Sequence, residues 1–164
     1  MVDNSIVKSS RHSHIIGLYG EHLVCNMLSR SGSEVMRVDH TGMDVLASRP
    51  DIGAIGISVK ARTRLEGREQ INVNVGPSDD TKLLDACRAF KLEAWVGVYV
   101  ETASSADLFL TSLENFRSRY IAEGRRSLAW GMTPKHRAGY SADQHIMHFQ
   151  MKFESPRWWK TTTG

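Results

Sequence analysis

The run Ala94-Trp95-Val96-Gly97-Val98-Tyr99-Val100 constrains the fold more than any other stretch of this chain. Its apolar residues do not alternate with polar ones, so both faces of the strand must be buried, as in the middle of a sheet covered on each side. Ala106-Asp107-Leu108-Phe109-Leu110 follows closely enough to pair with it. Helical spacing supplies the covering layers. Residues 13–31 carry Ile16, Tyr19, Leu23, Val24 and Met27 as one stripe, with Ser13 as the expected N-cap and Gly32 as the stop. A second helix is expected from about Asp80 to Lys91 along Leu83, Leu84, Cys87 and Phe90, capped by Ser78 or Asp79. A third runs from Thr111 or Ser112 to about Ile121 along Leu113, Phe116 and Tyr120. The 164 residues are enough for one α/β domain over 1–164 and too few for two. Within it, the Gly- and Pro-broken segment 124–143 reads as loop, 145–153 as a last strand and 154–164 as a tail.

The stretch with the most chemistry is Met43 to Arg64. Met43-Asp44-Val45-Leu46-Ala47 and Ala54-Ile55-Gly56-Ile57-Ser58-Val59-Lys60 are β-prone runs, and Arg49-Pro50-Asp51-Ile52-Gly53 between them supplies turn residues. A hairpin turning near Asp51 or Ile52 sets Asp44 opposite a residue between Ser58 and Lys60. Alternation then puts Ser58, Lys60, Arg62 and Arg64 on one face and Ile57, Val59 and Ala61 on the other. One face is apolar and the other cationic, with a single acid beside it. On an arbitrary hairpin such an acid and lysine form an ordinary surface ion pair.

Composition narrows the partners without fixing them. The net charge is a mild +3, compatible with nucleic-acid binding but no demonstration of it. No apolar run is long enough to span a bilayer, and Met1 to His14 lacks the apolar core of a signal peptide, so a cytoplasmic chain is expected. Cys25 and Cys87 have no zinc-like spacing around them and read as free thiols. Neither His12 with His14 nor His145 with His148 makes a convincing chelate.

The order helix, three strands, helix and further strands, with Gly17-Leu18-Tyr19-Gly20-Glu21 in the helix, Gly42-Met43-Asp44-Val45-Leu46 in the second strand and Ile57-Ser58-Val59-Lys60 in the third, resembles the PD-(D/E)XK nuclease superfamily. It is most similar to the small Holliday-junction-resolvase-like and restriction-like members. The resemblance covers roughly the first two-thirds of the chain. It implies a restriction-endonuclease-like three-layer fold, with a central mixed β-sheet flanked by helices, and Mg²⁺- or Mn²⁺-dependent hydrolysis of DNA phosphodiesters, by a homodimer because one site cuts one strand. By the same resemblance Asp44, the Val59 carbonyl and Glu21, directly or through water, hold the metal, and Lys60 positions or activates the attacking water and stabilises charge at phosphorus. Such a set suits Mg²⁺, which takes oxygen ligands and retains waters.

One position departs from the family pattern. Ser58 stands where the family usually has Asp or Glu, and a neutral hydroxyl is a poorer magnesium ligand. Some active members carry Gln there. Otherwise Glu66, Glu69 or Glu93 brings a carboxylate to the site, or catalysis is lost and the fold serves to bind nucleic acid or a protein partner. A third reading makes Asp44 and Lys60 merely structural, and it predicts that they and Glu21 do not converge. Arg62, Arg64 and Arg68 lead away from the proposed site and are the candidates for phosphate contacts, with Arg125-Arg126, Lys135-His136-Arg137 and the aromatic pair Trp158-Trp159 as weaker ones. Nothing in the sequence separates DNA from RNA or branched from linear substrates.

Overall fold

The computed structural model describes residues 6–121 and 128–154. The elements run α1 (His12–Arg30), β1 (Glu34–His40), β2 (Met43–Arg49), β3 (Gly53–Thr63), β4 (Val73–Val75), α2 (Pro77–Phe90), β5 (Glu93–Glu101), β6 (Ser105–Ser112), α3 (Leu113–Tyr120), β7 (Leu128–Trp130), α4 (Pro134–Ala142) and β8 (Met147–Lys152). Six strands form the main sheet in the order β1-β2-β3-β5-β6-β8, and β4 pairs with β7 in a small second sheet. β3 and β5 are parallel, whereas the other neighbours in the main sheet are antiparallel. The sheet is therefore mixed, with β5 in its interior and buried from Ala94 to Val100.

β5 alternates between two cores, which explains its unbroken apolar run. Trp95 and Tyr99 join Val45, Ala47, Ile55 and Ile57 under α1, which contributes Ile16, Val24 and Leu28. Val96, Val98 and Val100 face the opposite way, toward Leu83, Ala86 and Cys87 of α2, Leu113 and Phe116 of α3 and Tyr140 of α4. The result is three layers: α1, the sheet, and the α2–α3–α4 side with the small sheet. α1 can lie close because Gly20 faces the sheet; a Cβ there would come within 3.0 Å of Ala61 Cβ.

The hairpin forms as expected, with Arg49 paired to Gly53 across the turn and Val45 to Ile57. Gly53 takes φ +79°, a conformation that costs glycine little. The segment read as loop is a correction. It contains β7 and α4, because Pro134 occupies the first turn of a helix, where its missing N–H is no loss, and the Thr133 hydroxyl caps that helix by accepting from the His136 N–H. Two caps also differ. α1 starts behind Arg11 with no side-chain cap rather than behind Ser13, and Gly76 rather than Ser78 or Asp79 stands at the N-cap of α2. Asp79 still serves that helix end, three residues in, by accepting from the Gly76 N–H at 3.2 Å. Arg125, Arg126, Trp158 and Trp159 lie outside the described residues.

Candidate active site

The site lies where β2 and β3 part. The ladder that pairs Val45 with Ile57 points Asp44 toward Ser58, and alternation sends Ser58 and Lys60 to the α2 face. At Asp44 strict alternation is broken, since Met43 packs in the α2-side core and Val45 in the α1-side core. The β2–β3 ladder stops at Val45 and Ile57, and the β1–β2 register shifts at the same end of β2, between Arg37 and His40, so Val59 has no ladder partner on β2. The Val59 N–H instead donates to Asp44 Oδ2 at 2.7 Å. Because the N–H and C=O of one strand residue project to the same edge, the Val59 carbonyl faces the same gap.

Asp44 is half-buried. Burial pushes its carboxyl above the ordinary range, the Glu21 carboxylate adds to that rise, and the Val59 N–H, Lys60 and the Ser58 hydroxyl oppose it. Those influences bring Glu21, Asp44, Ser58 and Lys60 into one neighbourhood, although Glu21 comes from α1. Ser58 is buried at 6% exposure. Lys60 extends its ammonium to Asp79 Oδ2 at 2.9 Å. Glu21 is held by Arg37 of β1, whose Nη2 lies 2.6 Å from its Oε2.

The expected substitutes for the missing acid stay away. Glu66 accepts from the Ser104 hydroxyl and Glu69 from the Gly67 N–H, both in surface loops, and Glu93 pairs with Ile55 at the far end of the β3–β5 ladder. The acid that reaches Lys60 is Asp79, which the sequence marked only as a helix-capping residue. Its one other signal was position, in the first turn of the helix that crosses back over the sheet between two parallel strands.

Of the candidate arginines, Arg62 is exposed on the Lys60 face just beyond it, and Arg68 is exposed in the following loop. Arg64 is tied back to the Asn72 carbonyl at 3.1 Å, and burial together with the neighbouring Arg62 lowers its pKa. Arg137 forms an ion pair with the buried Asp107, so it fastens α4 to the sheet.

The donors facing the β2–β3 gap are all oxygens: the Asp44 carboxylate, the Val59 carbonyl and the Ser58 hydroxyl, with Glu21 beyond them. Hard ligands in small number fit Mg²⁺, which keeps several waters and takes one or two carboxylates. Among the described residues no group of three or more His, Cys, Asp or Glu side chains is placed to hold a metal ion. Nor is any described helix long and apolar enough to cross a membrane.

No family model and no curated protein matches the chain. Among solved structures it is similar to a Holliday junction resolvase of the archaeal hyperthermophile Archaeoglobus fulgidus, at 14% identity over 70% of this chain and 88% of that one, with a TM-score of 0.49.

Proposed function

We propose that this protein is a Mg²⁺-dependent endonuclease of the restriction-endonuclease-like type that hydrolyses DNA phosphodiesters, working as a homodimer in which each copy cuts one strand. The observation that carries the reading is the gap between β2 and β3. There a half-buried Asp44 accepts from the Val59 N–H, with the Val59 carbonyl at the same strand edge, and the charge of Lys60, two residues along β3, acts on the Asp44 carboxylate.

A divalent ion bound at Asp44 and the Val59 carbonyl would polarise a phosphoryl oxygen and acidify a water. Lys60 supplies a fixed positive charge where negative charge grows at phosphorus. Glu21, which Arg37 now holds, would supply a further carboxylate from α1 to such an ion. The attacking water forms the new P–O bond, its proton passes to solvent, and the 3′- or 5′-oxygen departs with the electrons of the broken bond. Arg62 and Arg68 take the flanking phosphates.

A second reading has its own support. Ser58 is neutral, and both charged neighbours are engaged, Glu21 by Arg37 and Lys60 by Asp79. A chain with these features could keep the fold and bind nucleic acid without cutting. Cleavage of labelled linear, nicked and four-way-junction DNA, with a matched RNA, in Mg²⁺ or Mn²⁺ separates the two. The endonuclease reading expects metal-dependent cutting that Asp44→Ala and Lys60→Ala abolish. Salt-sensitive binding with no cutting in either metal would establish the silent binder instead.

A further inference from the structure

Asp79 is fixed to the sheet more firmly than a surface acid usually is. Its Oδ2 accepts both from the Gly76 N–H at 3.2 Å and from Lys60 Nζ at 2.9 Å, so one oxygen joins the first turn of α2 to the end of β3. The pair is mostly sheltered, with the two side chains 24% and 34% exposed. The helix that carries Asp79 has little room to shift. Leu83 and Cys87 are buried against the sheet at 1% and 2% exposure, and a Cβ on Gly56 would lie 2.7 Å from Cys87 Sγ. A Cβ on Gly42 would lie 2.5 Å from the Lys82 backbone. α2 is thus wedged against both strands that carry Asp44 and Lys60, and its N-terminus favours an ionised carboxylate at that position.

We propose that Asp79 is a positioning residue for Lys60, holding the ammonium beside Asp44 so that it is in place when a phosphodiester arrives. The inference rests on the endonuclease reading. A lysine on a free four-carbon stem samples many rotamers, and a charge has its full effect only when it is placed before the reaction begins. One ammonium proton is committed to Asp79, which leaves two to point at a scissile phosphate. Lys60 also lowers the pKa of Asp79, in keeping with a pair that stays ionised. The commitment of Lys60 to an acid need not silence it, since that acid sits on α2 and engages only one of the three ammonium protons.

Asp79→Asn tests this with little risk to the fold, because the amide oxygen can still accept from the Gly76 N–H. Asp79→Glu is its companion, since glutamate suits the third position of a capped helix and restores the charge. Two readouts are taken on each variant. The first is the side-chain ammonium signal of Lys60 in the ¹⁵N-lysine-labelled protein, slowed in exchange when the ammonium is held. The second is kcat and KM for DNA cleavage in Mg²⁺. Positioning predicts a protected Lys60 signal in the wild type that exchanges faster in Asp79→Asn, where the oxygen can still accept but no longer carries the charge that holds the ammonium. It also predicts a kcat lower by roughly 10- to 100-fold with KM within about twofold, and partial recovery of both readouts in Asp79→Glu. An active wild type whose Asp79→Asn variant cuts as fast or faster overturns the proposal alone, as does a Lys60 signal equally protected in both. A wild type that cuts nothing overturns the endonuclease reading and takes this proposal with it, whatever the Lys60 signal does.

Discussion

Asp44 and Asp79 both feel the charge of Lys60, yet their carboxyls are shifted in opposite directions. Burial and the nearby Glu21 raise the Asp44 pKa, whereas Lys60 lowers that of Asp79. A carboxyl raised in the folded state takes up protons more readily folded than unfolded, so its ionisation costs stability at neutral pH and the cost fades as pH falls through the folded value. Asp44→Asn should therefore raise the Tm of the metal-free protein at pH 7 while abolishing cleavage, which thermal scans and the cleavage assay check together. Asp79 has the reverse sign. Its contribution is present above the ordinary aspartate value near ~3.9 and is lost as pH falls through the lower folded value. Tm measured from pH 6 downward should accordingly fall less steeply in Asp79→Asn than in the wild type, with Asp79→Glu near the wild type. A stabilising loss of Asp44 is what a residue kept for chemistry would give, and a purely structural aspartate would give the opposite.

At the scale of elements, the strands that carry the site were legible and the helix that completes it was only half so. Pro50, Asp51 and Gly53 announced the β2–β3 turn, and unbroken apolar sequence announced β5, because turn chemistry and two-sided burial leave local signatures. The turn bounded the register, setting Asp44 opposite a residue between Ser58 and Lys60, and the observed ladder, which ends at Val45 and Ile57, points to the Ser58 end of that range. β7 and α4 were lost because Gly131, Pro134 and Gly139 look like breakers, although Pro134 begins a helix and Gly139 sits in one with open space around it. The meeting of Asp79 with Lys60 could not be read from spacing, since it depends on where the crossover helix lands on the sheet. Packing fixes that landing. Gly42, at φ +89° in the turn before β2, lets α2 approach to where a Cβ would strike the Lys82 backbone. Gly42→Ala should cost about 1–3 kcal/mol from conformation alone. The clash with backbone adds to that, and denaturant unfolding at pH 7 measures the sum. Since the turn leads directly into Asp44, the variant should also lose cleavage at temperatures where it remains folded.

For the whole molecule, the proposed endonuclease needs positive charges that can reach nucleic-acid phosphates. Arg62 and Arg68 are exposed near the site, whereas Arg137 is spent on Asp107, which also accepts from His148. Binding measured across a salt series distinguishes them. Arg62→Ala should reduce the slope of log K against log salt by about one unit, as loss of a single phosphate contact does. Arg137→Ala should leave that slope unchanged and lower the Tm, because it removes a partner from a buried carboxylate. An equal loss of slope in both variants would move the nucleic-acid path toward α4.

The most direct test of the site is a calorimetric titration of Mn²⁺ into the wild type, Asp44→Asn and Ser58→Asp, since it requires no knowledge of the substrate. A hydrolytic metal site in the β2–β3 gap predicts one binding event per chain in the wild type. It is lost in Asp44→Asn and becomes tighter in Ser58→Asp, which restores a carboxylate on the same face. Binding that is unchanged in Asp44→Asn, or absent from all three proteins, would contradict the account.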